Sequence, residues 1–168
     1  DIIQKLSKLT PDLDYYLYGL RDEKISSSKN FKVHPVVSYR ESVNLIKSAD
    51  LLLMPYQTKV SINSDNFNDD ISQFISPLKM FEYLATGIPI ISSDLKVLRE
   101  ILKDQKNSVL VKNYTNPFAW KKAILNLSNN YSLRNYISKN SLATAEKNTW
   151  KKRSEKIKNI YLKKIKND

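Results

Sequence analysis

Apolar positions recur along this chain in two periods, and the periods alternate. Residues 2–9, IIQKLSKL, set Ile2, Ile3, Leu6 and Leu9 at helical spacing. Thr10-Pro11 breaks that run. LDYYLY (13–18) and FKVHPVV (31–37) read as strands around a polar loop from Arg21 to Asn30. SVNLIKSA (42–49) returns to helical spacing, with Arg40-Glu41 ahead of it. DLLLMP (50–55) is a short continuous apolar run, which predicts a buried strand ending at Pro55. Further on come a helix over 76–87, a strand IPII (88–91), and a helix LKVLREIL (95–102) with Asp94 as its N-cap. A strand NSVLVK (107–112), a helix from Asn116-Pro117 to near Ser128, a helix over 131–146 and a last helix capped by Thr149 complete the pattern. No segment repeats. Strands alternating with helices predict an α/β fold: a Rossmann-like parallel sheet with helices on both faces and a helical C-terminal tail.

Residues 57–75 interrupt the alternation with Asn, Asp, Ser and Gln, which predicts a flexible surface loop, placed to act as a lid or merely as a spacer. The segment after it, SPLKMFEYLATGIPIISSD (76–94), carries the most chemistry. Ser76 suits an N-cap, because its hydroxyl accepts from a free amide of the first turn. Pro77 at the first helical position loses no hydrogen bond. Gly87 supplies a left-handed C-terminal cap and Pro89 prevents continuation. The free amides of a helix N-terminus attract anions, so the amides of Ser76, Leu78 and Lys79 are the candidate phosphate contacts, with the Lys79 ammonium beside them. Glu82 lies one turn deeper on the face of Leu78, and helical side chains lean toward the N-terminus. Its carboxylate can therefore accept from hydroxyls of whatever the helix tip holds. The alternative is an exposed Glu82 paired with Lys79, worth a few tenths of a kcal/mol.

Ligands of open parallel sheets bind at the carboxyl ends of the strands. Gly19, His34-Pro35, Pro55-Tyr56 and Ser92-Ser93-Asp94 all fall at predicted strand ends and would form one rim with the entry to Ser76. Tyr56 is the tyrosine best placed to face a base or sugar. Only two glycines, Gly19 and Gly87, are present, so neither G-x-G-x-x-G nor a P-loop can be drawn, which disfavours nicotinamide, flavin and Walker-type sites.

Composition narrows the classes further. The 168 residues suffice for one domain with a sizeable core. With no cysteine, disulfides and thiolate chemistry are excluded. His34 is the only histidine, a poor start for a metal site, and Asp65, Asp69 and Asp70 lack the spacing of an EF-hand. No run of apolar residues is long enough to span a membrane, and no signal peptide is visible. A formal net charge of +11 favours anionic partners: nucleotides, acidic lipid surfaces or nucleic acid. No helix-turn-helix or zinc pattern accompanies the charge, so no specific nucleic-acid binding is expected. The last helix gathers Trp150, Ile157, Ile160, Tyr161 and Ile165 on one stripe among lysines. That stripe is expected to pack on the sheet domain or on a further domain. Peripheral contact with an anionic membrane is the alternative.

The segment 76–94 resembles the donor-binding signature of the family-4 (group 1) retaining glycosyltransferases of the GT-B fold. The matching residues are Ser76, Pro77, Leu78, Lys79, Glu82, Ala85, Gly87 and Pro89. PDLDYYLYG (11–19), residues 31–56, 108–127 and 148–165 are similar, in order, to further elements of that family's C-terminal half. Two glutamates with seven residues between them are common in the family; Glu82 matches the second, and Phe74 stands at the first, as in a branch reading SPLK-x-FEY. The resemblance implies a single nucleotide-sugar-binding domain over 1–168, closed by the helix at 148–168. It implies a nucleoside-diphosphate sugar as donor, a hydroxyl acceptor and a hexose-type unit transferred. It implies no essential metal or other cofactor, and no catalytic residue assigned here. The family's first strand, with its Gly-rich turn, and its N-terminal acceptor-binding domain have no counterpart, so the chain is expected to be a fragment, inactive alone. A cytoplasmic location, at or near the inner face of the membrane, and a role in polysaccharide biosynthesis follow by association. The competing expectations are a non-catalytic flavodoxin-like binding module, a basic nucleic-acid binder and a GT-B sugar epimerase.

Overall fold

The computed structural model describes residues 2–19, 25, 27–57 and 78–165. Their elements alternate as the periodicity predicts. They are α1 (Ile2–Leu9), β1 (Tyr15–Tyr18), β2 (Phe31–His34), α2 (Tyr39–Lys47), β3 (Leu52–Met54), α3 (Leu78–Thr86), β4 (Ile90–Ser93), β5 (Val109–Val111), α4 (Pro117–Asn129), α5 (Tyr131–Lys147) and α6 (Trp150–Ile165). Every strand pairing is parallel, in two sheets of order β1-β2 and β3-β4-β5.

Adjacent strand residues point to opposite faces, and the core divides accordingly. Ile91, Val109 and Val111 pack with Trp120, Ile124 and Leu127 of α4 and Leu6 of α1. Their neighbours Ile90, Leu52 and Met54 pack on the other side with Met80 and Leu84 of α3. The three-stranded sheet is therefore covered on both faces, and all four residues of β4 are buried. The smaller sheet turns Tyr15, Leu17, Phe31 and Val33 toward the cluster under α1 and α4.

Local chemistry explains the boundaries. Ser38 and Glu41 form a reciprocal capping box that starts α2 at Tyr39, three residues before the apolar spacing suggests. Asn30 ties α1 to β1, its side-chain amide donating to Ser7, Thr10 and Leu13 carbonyls at 3.0, 3.1 and 2.9 Å. The strand expected at 88–91 sits two residues later, because Pro89 has no amide to donate to a neighbouring strand. Thr149 caps α6 through the Lys152 amide, as expected.

Two expectations need correcting. LKVLREIL does not form a helix over 95–102; only the turn Leu98–Glu100 is helical, and of 3₁₀ type. Asp94 does not cap it but accepts from both Nε and Nη2 of the Arg99 guanidinium. Of the two packings expected for the apolar stripe of α6, that on the sheet domain is not made: every residue of α6 is exposed, Trp150 by 72% and Tyr161 by 64%.

Gly87 ends α3 at φ +72°, as its place in the sequence predicts. A Cβ there would stand 3.0 Å from Leu142 Cγ of α5. Gly87→Ala is expected to lower stability by at least about 1–2 kcal/mol, the cost of a left-handed L-residue, read as a shift in the urea midpoint at constant m.

Candidate functional site

The loops that bear the sequence-predicted rim all leave the carboxyl ends of strands. At the end of β1, Gly19 turns at φ +86° with open space where a side chain would stand. Its amide is shared between the carbonyls of His34 and Pro35, at 3.2 and 3.3 Å, so the two predicted residues meet. Tyr18 is in register with His34 across the parallel pair. Their rings stack at 4.6 Å, and the Tyr16 ring lies near-parallel to that of His34 at 6.3 Å. This ladder lies on the face of the sheet opposite the core. His34 is half-buried, and its Nε2 is shielded without a hydrogen-bond partner among the described residues.

A second group forms where β3 ends and α3 begins. Tyr56 is half-buried just beyond β3, its amide donating to the Met54 carbonyl at 2.9 Å. Burial pushes the Tyr56 hydroxyl above its usual range. Tyr83 of α3 is pushed up too, chiefly by burial and then by the proximity of Tyr56 and Glu82. Tyr56, Glu82 and Tyr83 thus share one neighbourhood, which sequence spacing alone did not join. For both tyrosines the raised value means that stabilisation is complete below the ordinary phenol value of 10.0 and is lost as pH rises through the higher folded value.

Glu82 is half-buried, and no ion pair joins it to Lys79 among the described residues. The bland pairing considered for the two side chains is absent. Leu78 and Lys79, at the first turn of α3, are exposed, Leu78 by 63%. Ser76 and Pro77 lie outside the described residues, as does all of the expected lid except Gln57. No hydrogen bond or ion pair among the described residues links the Gly19–His34 group to the Tyr56–Glu82 group.

The third strand end was read as part of the rim without a partner being foreseen. Asp94, with a side chain only 3% exposed, is bonded by Arg99, which holds its carboxyl below the ordinary value of 3.8. A depressed carboxylate stabilises the fold above its unfolded value, and that contribution fades as pH falls through the lower folded value. Asp94→Asn is therefore expected to lower Tm at pH 7 and to leave the difference from the parent chain shrinking below pH 4 (about one unit around the unfolded carboxylate value), as thermal melts at several pH values would read. Ser92 and Ser93 are fully buried, and the Ser93 hydroxyl has no partner among the described residues.

A parallel sheet with helices on both faces and chemistry gathered at strand ends defines a Rossmann-like domain. The group 1 glycosyl transferase family model matches residues 14–144, and the chain belongs to that family. Its fold is that of a GT-B C-terminal domain. A sucrose-phosphate synthase from Thermosynechococcus elongatus superposes with a TM-score of 0.72 at 13% identity, over 99% of this chain and 43% of that one. HepE from Anabaena, solved in complex with UDP and glucose, superposes with a TM-score of 0.61 at 14% identity, over 87% of this chain and 39% of that one. The chain thus spans less than half the length of these solved relatives. A sequence search of curated proteins gives no match.

Proposed function

We propose that this domain holds the nucleoside-diphosphate sugar of a retaining family-4 glycosyltransferase that moves a hexose-type unit to a hydroxyl acceptor. The observation that carries this reading is Glu82: half-buried, unpaired with Lys79, and one turn inside a helix whose first turn is exposed, in a chain of the group 1 family. Amides at 76–79 would receive the diphosphate, with the Lys79 ammonium adding charge. Glu82 would accept from the ribose hydroxyls. Gly19, His34 and Tyr56 would border the base and sugar.

Negative charge grows on the diphosphate as the glycosidic bond breaks. Preorganised amides aimed at that charge stabilise the leaving group, the electrostatic contribution that usually dominates catalysis. The role requires no metal and no general base from this chain. The acceptor would be held by a separate N-terminal domain, so the 168 residues alone bind weakly and transfer nothing. Because HepE was solved with UDP and glucose, UDP is the first nucleotide to try. We read the complete enzyme as cytoplasmic and serving polysaccharide synthesis. Among the described residues no helix is long and apolar enough to cross a membrane.

Titration calorimetry with UDP, GDP and ADP tests the proposal. Weak saturable binding of one nucleoside diphosphate, stronger than of its monophosphate, is expected. Absence of binding by all three, or sugar transfer by this chain alone, would contradict the reading. The exposed, lysine-rich stripe of α6 supports a second contact, with the acceptor domain or with anionic lipid. Sedimentation with vesicles of anionic and of neutral lipid separates the two.

A further inference from the structure

A strand edge with free amides and carbonyls invites pairing with another chain, and two edges of this domain are closed by the chain itself in the same way. In a parallel ladder the amide and carbonyl of every second residue point to the same side. The Tyr15 and Gly19 amides donate to the Asn30 and His34 carbonyls, so Lys32 and His34 face β1, while Phe31 and Val33 turn their backbone groups outward. Ser28 and Phe31 exchange backbone hydrogen bonds at 2.7 and 3.4 Å. The next outward amide, that of Val33, donates to the Ser27 hydroxyl at 2.9 Å. On β5 the Val111 carbonyl accepts from the Asp94 amide, so Val109 and Val111 face β4, while Ser108 and Leu110 face outward. Asp104 and Ser108 form a parallel backbone bridge. The next outward amide, that of Leu110, donates to the Asp104 carboxylate at 2.8 Å. A backbone bridge followed by a side-chain oxygen thus recurs at two edges far apart in the chain.

The segment on the β5 edge is anchored from several sides. Asn107 is buried; its side-chain oxygen accepts from the Lys103 amide at 2.7 Å, and its side-chain amide donates to the Ile101 carbonyl and the Thr144 hydroxyl, both at 3.0 Å. The Ser141 hydroxyl of α5 donates to the Asn107 carbonyl at 2.8 Å. The Lys106 and Asn107 amides both donate to the Lys103 carbonyl. Within this frame Gln105 holds φ +56°, a left-handed conformation that a residue with a Cβ keeps only where its surroundings impose it. The frame sets Asp104, itself exposed, against the Leu110 amide. We propose that residues 103–107 are a strap that closes the outer edge of β5 to strand addition, with Asp104 as its latch, and that Ser27 latches the outer edge of β2 likewise. A strand arriving at β5 must displace a charge-assisted hydrogen bond, stronger than the neutral one it would make, and bring its own carbonyls beside a carboxylate. Leu110 packs partly into the core beside that edge, so the unlatched edge would offer apolar surface as well as backbone groups. Contacts with other chains are thereby left to the helices and the strand-end loops.

Amide hydrogen exchange followed by nuclear magnetic resonance, with sedimentation velocity beside it, tests the latch without any nucleotide, so its outcome is separate from that of the donor-site proposal. Asp104→Ala should speed exchange of the Leu110 amide at least about tenfold, as opening an edge does, and leave the Val111 amide, directed at β4, nearly unchanged. The same variant should self-associate more than the parent chain as concentration rises. Asp104→Asn keeps an acceptor oxygen and should keep the Leu110 amide slow. Ser27→Ala should speed the Val33 amide in the same way, which checks the device independently should Asp104→Ala fail to fold. A Leu110 amide that is already fast in the parent chain would overturn the proposal. So would a folded Asp104→Ala variant that associates no more than the parent, or a Ser27→Ala variant whose Val33 amide stays slow.

Discussion

Trp120→Ala is expected to cost this domain about 3–5 kcal/mol, the usual range for deleting a buried tryptophan. Trp120 is 1% exposed, on the face of α4 that meets Ile91, Val109 and Val111, with Leu6 of α1 in the same cluster. Its indole also donates to the Tyr114 carbonyl at 2.9 Å, which anchors the turn leading into α4. Truncation therefore opens a cavity where helix α4 covers the sheet and leaves a carbonyl unbonded. Against a total stability of about 5–15 kcal/mol, that loss would bring a chain at the low end to within about 2 kcal/mol of its unfolding midpoint at room temperature. Trp120→Phe refills much of the volume but not the hydrogen bond, so it should cost a small part of that, about 1–2 kcal/mol. Urea unfolding of both variants checks the order. Equal losses would mean that the hydrogen bond, and not the packed volume, governs the site.

The second large effect concerns ligand affinity. On the donor-site reading, Glu82→Gln weakens nucleoside-diphosphate binding about tenfold or more, because hydrogen bonds to a charged group contribute about 1.5–3 kcal/mol. Glutamine keeps one acceptor of the two and loses the charge. Tm should stay nearly unchanged, since no hydrogen bond or ion pair of the Glu82 side chain holds the fold among the described residues. Calorimetry beside a thermal melt reads both. Unaltered affinity in a folded variant would remove Glu82 from the site, while a fall in both would assign it a structural role through Tyr83.

The residues differ in how much of this was legible beforehand. The end of α3 at Gly87 was plain, because a left-handed cap is decided by one residue and its neighbours. The capping box of Ser38 and Glu41 went unread, although a serine three residues before a glutamate is its signature, and the helix was expected to start later. The 95–102 segment misled because its apolar spacing fits a helix. Asp94 is drawn instead to Arg99, and Leu98 and Leu102 reach the core from a single turn. The Tyr16–His34–Tyr18 ladder needed more than period-two spacing on β1: it needed the register that sets Tyr18 opposite His34. The approach of Tyr56 to Tyr83 depends on how β3 and α3 pack.

What the amino-acid order determined by itself was the succession of strands and helices outside 95–102, together with the cap of α3 at Gly87 and that of α6 at Thr149. Those depend on periodicity and on hydrogen bonds within a few residues, which the chain carries wherever it goes. Only the tertiary structure decided which strands are neighbours and that α6 stands away from the sheet. Those depend on pairings between residues far apart in the chain, where edges of similar composition compete.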